Sequence, residues 1–461
     1  MTDLTTSSTA RQMLAALNSR EISCSELMDL HLARISERNP ELNAIVSLDE
    51  ERARDGASEA DRTPYDERGP LHGLPWAFKD THDVAGWLTT YGSPLLADNV
   101  PARDELVVER IRRAGAVPIG KTNVPEFAAG SHTFNTIFGT TRNPVDPTRS
   151  AGGSSGGAAC ALASGMVPLA EGSDMGGSLR NPASFCGVYG LRPSRGRVPA
   201  WPSENQWEAL GTSGPMARNV DDLALLLSVL AGPDPRVPLA LGDPGARFAP
   251  PVLGSLRGLR VAVSTDLGGL IEVDAEVAAV VEATAAAMAA AGARVVAGEP
   301  DLALGEDTFR TLRAWTFQAG FGDLLAEHPD EFKPSLADNI RAGEGLAGAD
   351  VARAYHQLTA LGETARVFFE SNDVLLLPTS QVPPFPADQE YPAEINGKPM
   401  ATYLDWMRSA YLVTVTGCPA ISVPAGRTGD GLPVGVQLVA THGADRFLLE
   451  VAAAVEVLGL G

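Results

Sequence analysis

The chain has 461 residues, with 36 Lys and Arg against 57 Asp and Glu, and a formal net charge of −21 at pH 7. Such a length can bury a large core and, at about 150 residues per domain, would divide into about three domains. The negative charge argues against nucleic acid and against an acidic membrane surface as partners, because both are bound through basic patches.

Short apolar runs alternate with amphipathic stretches along the chain. A capping-box spacing from Ser23 to Glu26 predicts the start of a helix, which continues with apolar residues at helical intervals. In chain order the pattern then predicts a strand at 74–78, a helix at 104–113, strands at 117–120 and 259–263, a helix at 275–291, and strands at 374–377, 421–423 and 434–439. Asp430-Gly431 predicts an antiparallel hairpin between the last two strands. Strands alternating with helices indicate an α/β fold with a largely parallel or mixed sheet.

The best linker candidate is the Pro- and Gly-rich stretch 232–254, but an apolar strand follows it at once. We therefore interpret it as a surface crossover within one large domain and not as a domain boundary. The first ten residues, MTDLTTSSTA, lack the pattern of a secretory signal, and the apolar stretches are too short and too interrupted to cross a bilayer. The four cysteines have neither a zinc nor a C-x-x-C spacing. A cytoplasmic protein with reduced cysteines and no metal or cofactor is predicted.

Lysine is rare in this chain, because only four of its 36 basic residues are lysines, namely Lys79, Lys121, Lys333 and Lys398. Lys79 follows the apolar strand predicted at 74–78, which would carry it into the interior. Burial lowers the pKa of a lysine from about 10.4 towards a range in which the neutral amine accepts a proton. The alternative is a lysine that reaches solvent and pairs with Asp80.

Two Gly/Ser clusters, at 152–157 and 176–178, have three interpretations. A flexible loop is one, although the strongly apolar surroundings do not suit a linker. A phosphate-binding loop is disfavoured, because no Lys-Ser/Thr pair follows the glycines. The third is nucleophilic catalysis: residues 153–157 match G-x-S-x-G with Ser155 at the centre, but none of the later histidines has a notable setting. Lys79 is the better candidate base.

Three segments together closely resemble the amidase signature family: Lys79 in AFKD, GGSSGG at 152–157 and GSDMGGSLRNP at 172–182. The resemblance covers about 70–225 and about 374 to the end. It implies a single α/β amidase domain over 1–461, with a central mixed β-sheet flanked by helices. Within it, 70–225 would be the signature core, with all catalytic positions in the same core as the late strands. Residues 232–370 would form a more variable, largely helical region that shapes the substrate pocket.

Carried over residue by residue, the resemblance implies a Ser-cisSer-Lys triad. Ser178 would be the nucleophile, Ser154 the bridging serine after a cis bond to Gly153, and Lys79 the base. A hydroxyl relay would then carry the proton of Ser178 through Ser154 to neutral Lys79. The backbone N–H groups of Met175, Gly176, Gly177 and Ser178 would form the oxyanion hole. Ser131, Ser173, Asp174 and Arg180 would bind substrate or support the two serine loops, and Ser155 would be structural.

The predicted activity is hydrolysis of an amide C–N bond through a serine acyl-enzyme, on apolar or aryl amides, with carbamates and esters as further candidate substrates. Trp201, Trp207, Trp315, Phe317, Phe321 and Tyr355 either roof the pocket or pack the core. The first alternative is the glutaminase subunit of a tRNA-dependent amidotransferase, against which the charge of −21 weighs. A catalytically inactive binding protein is the second, and the filled triad argues against it. The predicted partner is a small molecule, with the chain a monomer or homo-oligomer.

Overall fold

The computed structural model describes residues 4–461. The prediction of no secretory signal therefore falls in part on residues 1–3, which lie outside the described residues. The helices are α1 (Ala10–Ser19), α2 (Cys24–Leu42), α3 (Glu50–Asp61), α4 (Leu106–Arg113), α5 (Gly156–Ala163), α6 (Arg180–Cys186), α7 (Val220–Leu230), α8 (Ala275–Ala290), α9 (Gly305–Glu327), α10 (Pro334–Arg341), α11 (Gly348–Ser371), α12 (Arg408–Thr414) and α13 (Asp445–Glu456). The strands are β1 (Ile45–Val46), β2 (Pro75–Lys79), β3 (Val117–Thr122), β4 (Phe134–Asn135), β5 (Gly139–Thr140), β6 (Ala170–Asp174), β7 (Tyr189–Arg192), β8 (Thr212–Ala217), β9 (Arg260–Val263), β10 (Arg294–Ala297), β11 (Val374–Pro378), β12 (Glu394–Ile395), β13 (Lys398–Pro399), β14 (Ala420–Arg427) and β15 (Pro433–Val439).

A mixed eight-stranded sheet in the order β10-β9-β11-β15-β14-β7-β8-β6 forms the centre of the molecule. Strand β9 pairs in parallel with β10 and β11, and the remaining neighbours are antiparallel. Helices α6 and α8 pack against its inner strands, which are almost entirely buried. The molecule is a single α/β domain with a central mixed sheet, as the sequence predicted.

The predicted elements occur, with ends that differ by a few residues. Ser23 and Glu26 form the capping box of α2, each accepting from the backbone N–H of the other. The turn at Asp430-Gly431 joins β14 to β15, which pair antiparallel over seven positions. Residues 232–254 connect α7 to the strand β9, which belongs to the same sheet as β8 before them.

The strand that carries Lys79 lies outside the large sheet. Strand β2 belongs to a separate three-stranded sheet in the order β1-β3-β2, where it pairs in parallel with β3. It lies against β6, the edge strand of the large sheet. The buried helix α5 fills the junction, and its Gly157 lies so close to Asn123 that a Cβ there would be 2.3 Å from that backbone nitrogen. The two sheets therefore meet at β2 and β6.

The four cysteines are buried free thiols. Within residues 4–461 no helix combines the length and apolar character needed to span a membrane. In the same part of the chain, no cluster of three or more His, Cys, Asp or Glu side chains is arranged to hold a metal ion.

Candidate active site

Lys79 is the last residue of β2, and its side chain is completely buried. Its ammonium nitrogen Nζ lies 2.9 Å from each of three hydroxyl oxygens, those of Ser154, Ser155 and Ser173. The backbone N–H of Lys79 donates to Glu171 Oε1 at 2.7 Å, which fixes the end of β2 against β6. The structure therefore places a buried lysine among three serines, two from the loop before α5 and one from strand β6.

Burial lowers the pKa of Lys79 from 10.5 to about 7, although the carboxylates of Asp174 and Glu171 act in the opposite direction. The cause is desolvation, since an ammonium ion in the interior loses its hydration. A neutral lysine has two N–H donors and one lone pair. It can therefore donate to two of the three serines and accept a proton from the third, which is the property required of a general base near neutral pH.

Ser154 and Ser155 lie in a fully buried loop that leads into α5. The peptide bond between Gly153 and Ser154 is cis. Ser131 Oγ donates to the carbonyl of Gly153 at 2.8 Å and accepts from Asn181 Nδ2 at 2.9 Å. Ser131 thus helps to hold the loop in place, and its hydroxyl both donates and accepts a hydrogen bond within the protein.

Ser178 lies in the turn between β6 and α6 and is 7% exposed. The backbone N–H of Ser155 donates to the carbonyl of Ser178 at 3.2 Å, so the two serine loops are joined directly. Among residues 4–461 the Ser178 hydroxyl has no hydrogen-bond partner, and this includes Ser154. The lysine-to-serine part of the predicted relay is therefore present as a hydrogen bond, whereas the step from Ser154 to Ser178 is not.

Asp174 holds the Ser178 turn together from the end of β6. Its carboxylate accepts from the backbone N–H of Gly177 at 2.9 Å and of Leu179 at 3.1 Å. Arg180 forms a two-point ion pair with it, at 2.8 and 3.0 Å, and both side chains are fully buried. Although burial acts to raise the pKa of Asp174, Arg180 and then Arg192 hold it well below its usual range. Asp174 and Arg180 therefore form a buried ion pair whose carboxylate is hydrogen-bonded to the backbone of the turn.

One of the four backbone N–H groups predicted for the oxyanion hole is hydrogen-bonded within the protein. Because the chain folds back after β6, the N–H of Gly177 is committed to Asp174 and is not directed to a substrate. The N–H groups of Met175, Gly176 and Ser178 donate to no other group in the described part of the chain. These three remain the candidates for binding a developing negative charge.

Sequence reasoning did not identify Glu171, and it did not predict that Ser155 and Ser173 contact Lys79. Glu171 is buried, and besides the Lys79 backbone it accepts from Trp76 Nε1 at 2.7 Å. Glu171 and Ser173 are two residues apart on β6, so their side chains share the face that looks towards Lys79. This spacing is the signal from which both contacts with Lys79 could have been predicted.

The surroundings of the Ser178 turn come mainly from α9 and from residues near α12. A Cβ on Gly176 would lie 3.2 Å from the ring of Phe309 and 3.1 Å from Met407 Cε. Of the predicted roof aromatics, Phe317 and Phe321 belong to a buried cluster that includes Met175. Trp315 packs edge-on against Tyr355, and both join Met175 in packing against the apolar cluster that contains Phe309 and Met407. Trp207 is 61% exposed, and Trp201 lies under Arg236.

A cavity lies next to Ser173. A cavity of about 280 Å³ is lined by Ser173 together with residues that include Arg195, Gln206 and Glu208. Ser173 therefore contacts Lys79 Nζ through its hydroxyl and is also one of the residues that line this cavity.

Known proteins resemble this chain over nearly its whole length. The family model described as Amidase matches residues 26–449, a range that includes Lys79, Ser154 and Ser178. An acylamidase of Rhodococcus erythropolis is 37% identical over 457 residues, covering 97% of this chain and 95% of that protein. The A-type subunit of a glutamyl-tRNA(Gln) amidotransferase from a Synechococcus strain is 36% identical over 463 residues, covering 95% and 93%. The crystal structure of a bacterial aryl acylamidase superposes with a TM-score of 0.91 at 28% identity, covering 98% of this chain and 96% of that one.

Proposed function

The chain belongs to the amidase signature family of amidohydrolases, and from that premise we propose that it cleaves small-molecule amides through an acyl-enzyme on Ser178. Lys79 is the general base and Ser154 the bridging serine. The observation that carries this proposal is the hydrogen bond of 2.9 Å between Lys79 Nζ and Ser154 Oγ, made by a buried lysine whose pKa is lowered to about 7.

The reaction begins when neutral Lys79 accepts the proton of the Ser154 hydroxyl, which in turn accepts the proton of Ser178. The Ser178 oxygen attacks the carbonyl carbon, and the N–H groups of Met175, Gly176 and Ser178 stabilise the resulting oxyanion. Collapse of this intermediate breaks the C–N bond, and the relay returns the proton to the leaving amine. Water then adds to the acyl-enzyme by the same route and releases the acid. The relay requires the hydroxyls of Ser154 and Ser178 to come within hydrogen-bond distance during the reaction.

The apolar lining next to the turn favours amides with an apolar or aryl group. Phe309, Met407 and Met175 surround Gly176, and relatives of this chain are named acylamidase and aryl acylamidase. Carbamates and esters share the acyl-transfer chemistry and are further candidate substrates of the same serine.

The second candidate function is the glutaminase component of a tRNA-dependent amidotransferase, which the similarity to A-type amidotransferase subunits favours. A panel of anilides, aliphatic amides, glutamine, p-nitrophenyl esters and aryl carbamates, tested on the purified chain alone, separates the two. Anilide hydrolysis without a partner supports the first function. Glutamine hydrolysis that appears only after addition of a partner protein supports the second.

The nucleophile is tested by labelling with a fluorophosphonate followed by peptide mapping. We expect the label on Ser178, and we expect Ser178→Ala to abolish both labelling and turnover while the protein remains folded. Ser155→Ala is the matched control, because Ser155 also contacts Lys79 but is not assigned as nucleophile. A label on Ser155, or normal turnover in Ser178→Ala, contradicts the assignment.

A further inference from the structure

Arg313 is a buried cation on α9 whose position next to the catalytic turn is not explained by the proposed chemistry. It is 6% exposed. Its guanidinium donates to Tyr403 Oη at 2.6 Å, to Asn339 Oδ1 at 3.2 Å and to the sulfur of Met175 at 3.1 Å. The face of Phe317 covers it, with the ring centroid 4.0 Å from Cζ.

None of these contacts neutralises its charge. Within residues 4–461, no carboxylate oxygen lies within 4.0 Å of Arg313. The other deeply buried arginines are paired: Arg180 and Arg192 with Asp174, and Arg197 with Asp445. Buried charges are normally paired, because an isolated one loses its hydration without compensation. Arg313 is the exception. Its contacts with an aromatic ring and a hydroxyl stabilise a buried charge less than a carboxylate would.

Its hydrogen-bonding capacity is also incomplete. A guanidinium has five N–H groups, and three of those on Arg313 have acceptors. One N–H on each terminal nitrogen is left over. Two such groups on neighbouring nitrogens form the fork that binds a carboxylate at two points.

Arg313 lies beside the turn that carries Ser178. Phe309 and Arg313 are four residues apart on α9 and so share one face of the helix. Phe309 lies against Gly176, and Arg313 contacts Met175, so this face lines the turn that ends at Ser178. The neighbouring cation Lys333 already has Glu390 as its partner at 3.4 Å. A carboxylate that enters the pocket would therefore meet Arg313 as the unpaired charge.

We propose that Arg313 binds a carboxylate carried by the substrate, so that the preferred substrates of this chain are amides with a free carboxylate attached through an apolar or aryl spacer. This inference rests on the proposed amidase function and specifies its substrate class. The carboxylate and the guanidinium form a charge-assisted, two-point contact, while Phe309 and Phe317 pack against the spacer. Arg313 is a specificity-determining residue in this arrangement and takes no part in proton transfer.

The test compares matched substrates. Butyranilide is neutral, succinanilic acid adds a carboxylate on the acyl side, and 4-butyramidobenzoate adds one on the amine side. We expect kcat/KM of the wild-type chain to be higher for one of the two carboxylated anilides than for butyranilide. In Arg313→Gln, the ratio of kcat/KM for that carboxylated anilide to kcat/KM for butyranilide should fall by about tenfold to a hundredfold. This is the size expected for a hydrogen bond to a charged group. The loss should appear mainly as a higher KM for the carboxylated anilide, and Arg313→Lys should restore part of the lost preference.

Arg310→Gln is the matched control, because Arg310 lies on the same helix but already pairs with Glu306 and Asp405. Its substrate ratio should equal that of the wild type. A wild-type chain that hydrolyses butyranilide better than both carboxylated anilides overturns the assignment of Arg313 while leaving the amidase proposal intact, and it does so even if the variants fail to fold. Hydrolysis of none of the three anilides, nor of any other amide, would instead refute the proposed function.

Discussion

The pH dependence of turnover tests the base directly, because the pKa of Lys79 is lowered to about 7. Only the neutral amine accepts a proton, so kcat/KM should rise with pH through about 7 and level off above about 8. With that pKa, about half of the enzyme is active at pH 7 and about a tenth at pH 6. Replacement by alanine removes the base and should lower kcat/KM by about 10² to 10⁴.

The assay is the initial rate of anilide hydrolysis between pH 5 and 9 for the wild type and Lys79→Ala. Lys121→Met is the matched control, because Lys121 is also buried and burial lowers its pKa to about 8. Its ammonium donates to the His82 carbonyl and to Thr89, and within residues 4–461 it has no hydrogen bond to a serine. The acid limb of this variant should keep the wild-type midpoint. An acid limb that persists unchanged in Lys79→Ala, or one that moves in Lys121→Met, would refute the assignment of the base.

Three further predictions concern the supports of the site. Ser173→Ala removes an acceptor of the ammonium and should move the acid limb of the pH profile to lower pH, by up to about one unit; a shift to higher pH would contradict this. Asp174→Asn leaves buried arginines without a full partner and should lower the free energy of unfolding by about 3 to 5 kcal/mol in urea titrations; an unchanged midpoint would show that the pair does not support the turn. Gly157→Ala places a Cβ against backbone and should destabilise the protein by about 1 to 3 kcal/mol. Gly362 is a helical glycine with open space around it, so Gly362→Ala should be neutral or stabilising. Both are measured by thermal unfolding, and equal effects of the two substitutions would contradict the packing argument.

The sequence predicted the fold class because its signals are local. Apolar runs of strand length, the capping box at Ser23 and the Asp430-Gly431 turn each depend on neighbouring residues only. The assignment of β2 to a second sheet could not be predicted in this way. It depends on which strand pairs with which across tens of residues, and an apolar five-residue strand is compatible with either sheet.

In the candidate site too, some residues could be identified from local sequence and others only from tertiary packing. Lys79 could be identified from one residue and its apolar strand, together with the rarity of lysine in this chain. Arg313 could not, because a lone arginine on an amphipathic helix is typical of a solvent-exposed face, and only tertiary packing shows that it is buried without an acid. The hydrogen bond from Gly177 to Asp174 likewise depends on how the turn folds back, which the glycines permit but do not specify.

The division of the site between two sheets has a consequence for how mutations affect turnover. Lys79 is attached to the small sheet and Ser173 to the edge of the large one, so their separation of 2.9 Å measures how the two sheets are docked. Under the proposed mechanism, a substitution in β1, β3 or α5 that shifts one sheet by about half an ångström would alter proton transfer although no catalytic residue is replaced. If Lys79 is the base as proposed, the docking of these two separately hydrogen-bonded sheets sets the proton-transfer distance, and turnover should respond to substitutions far from the serine.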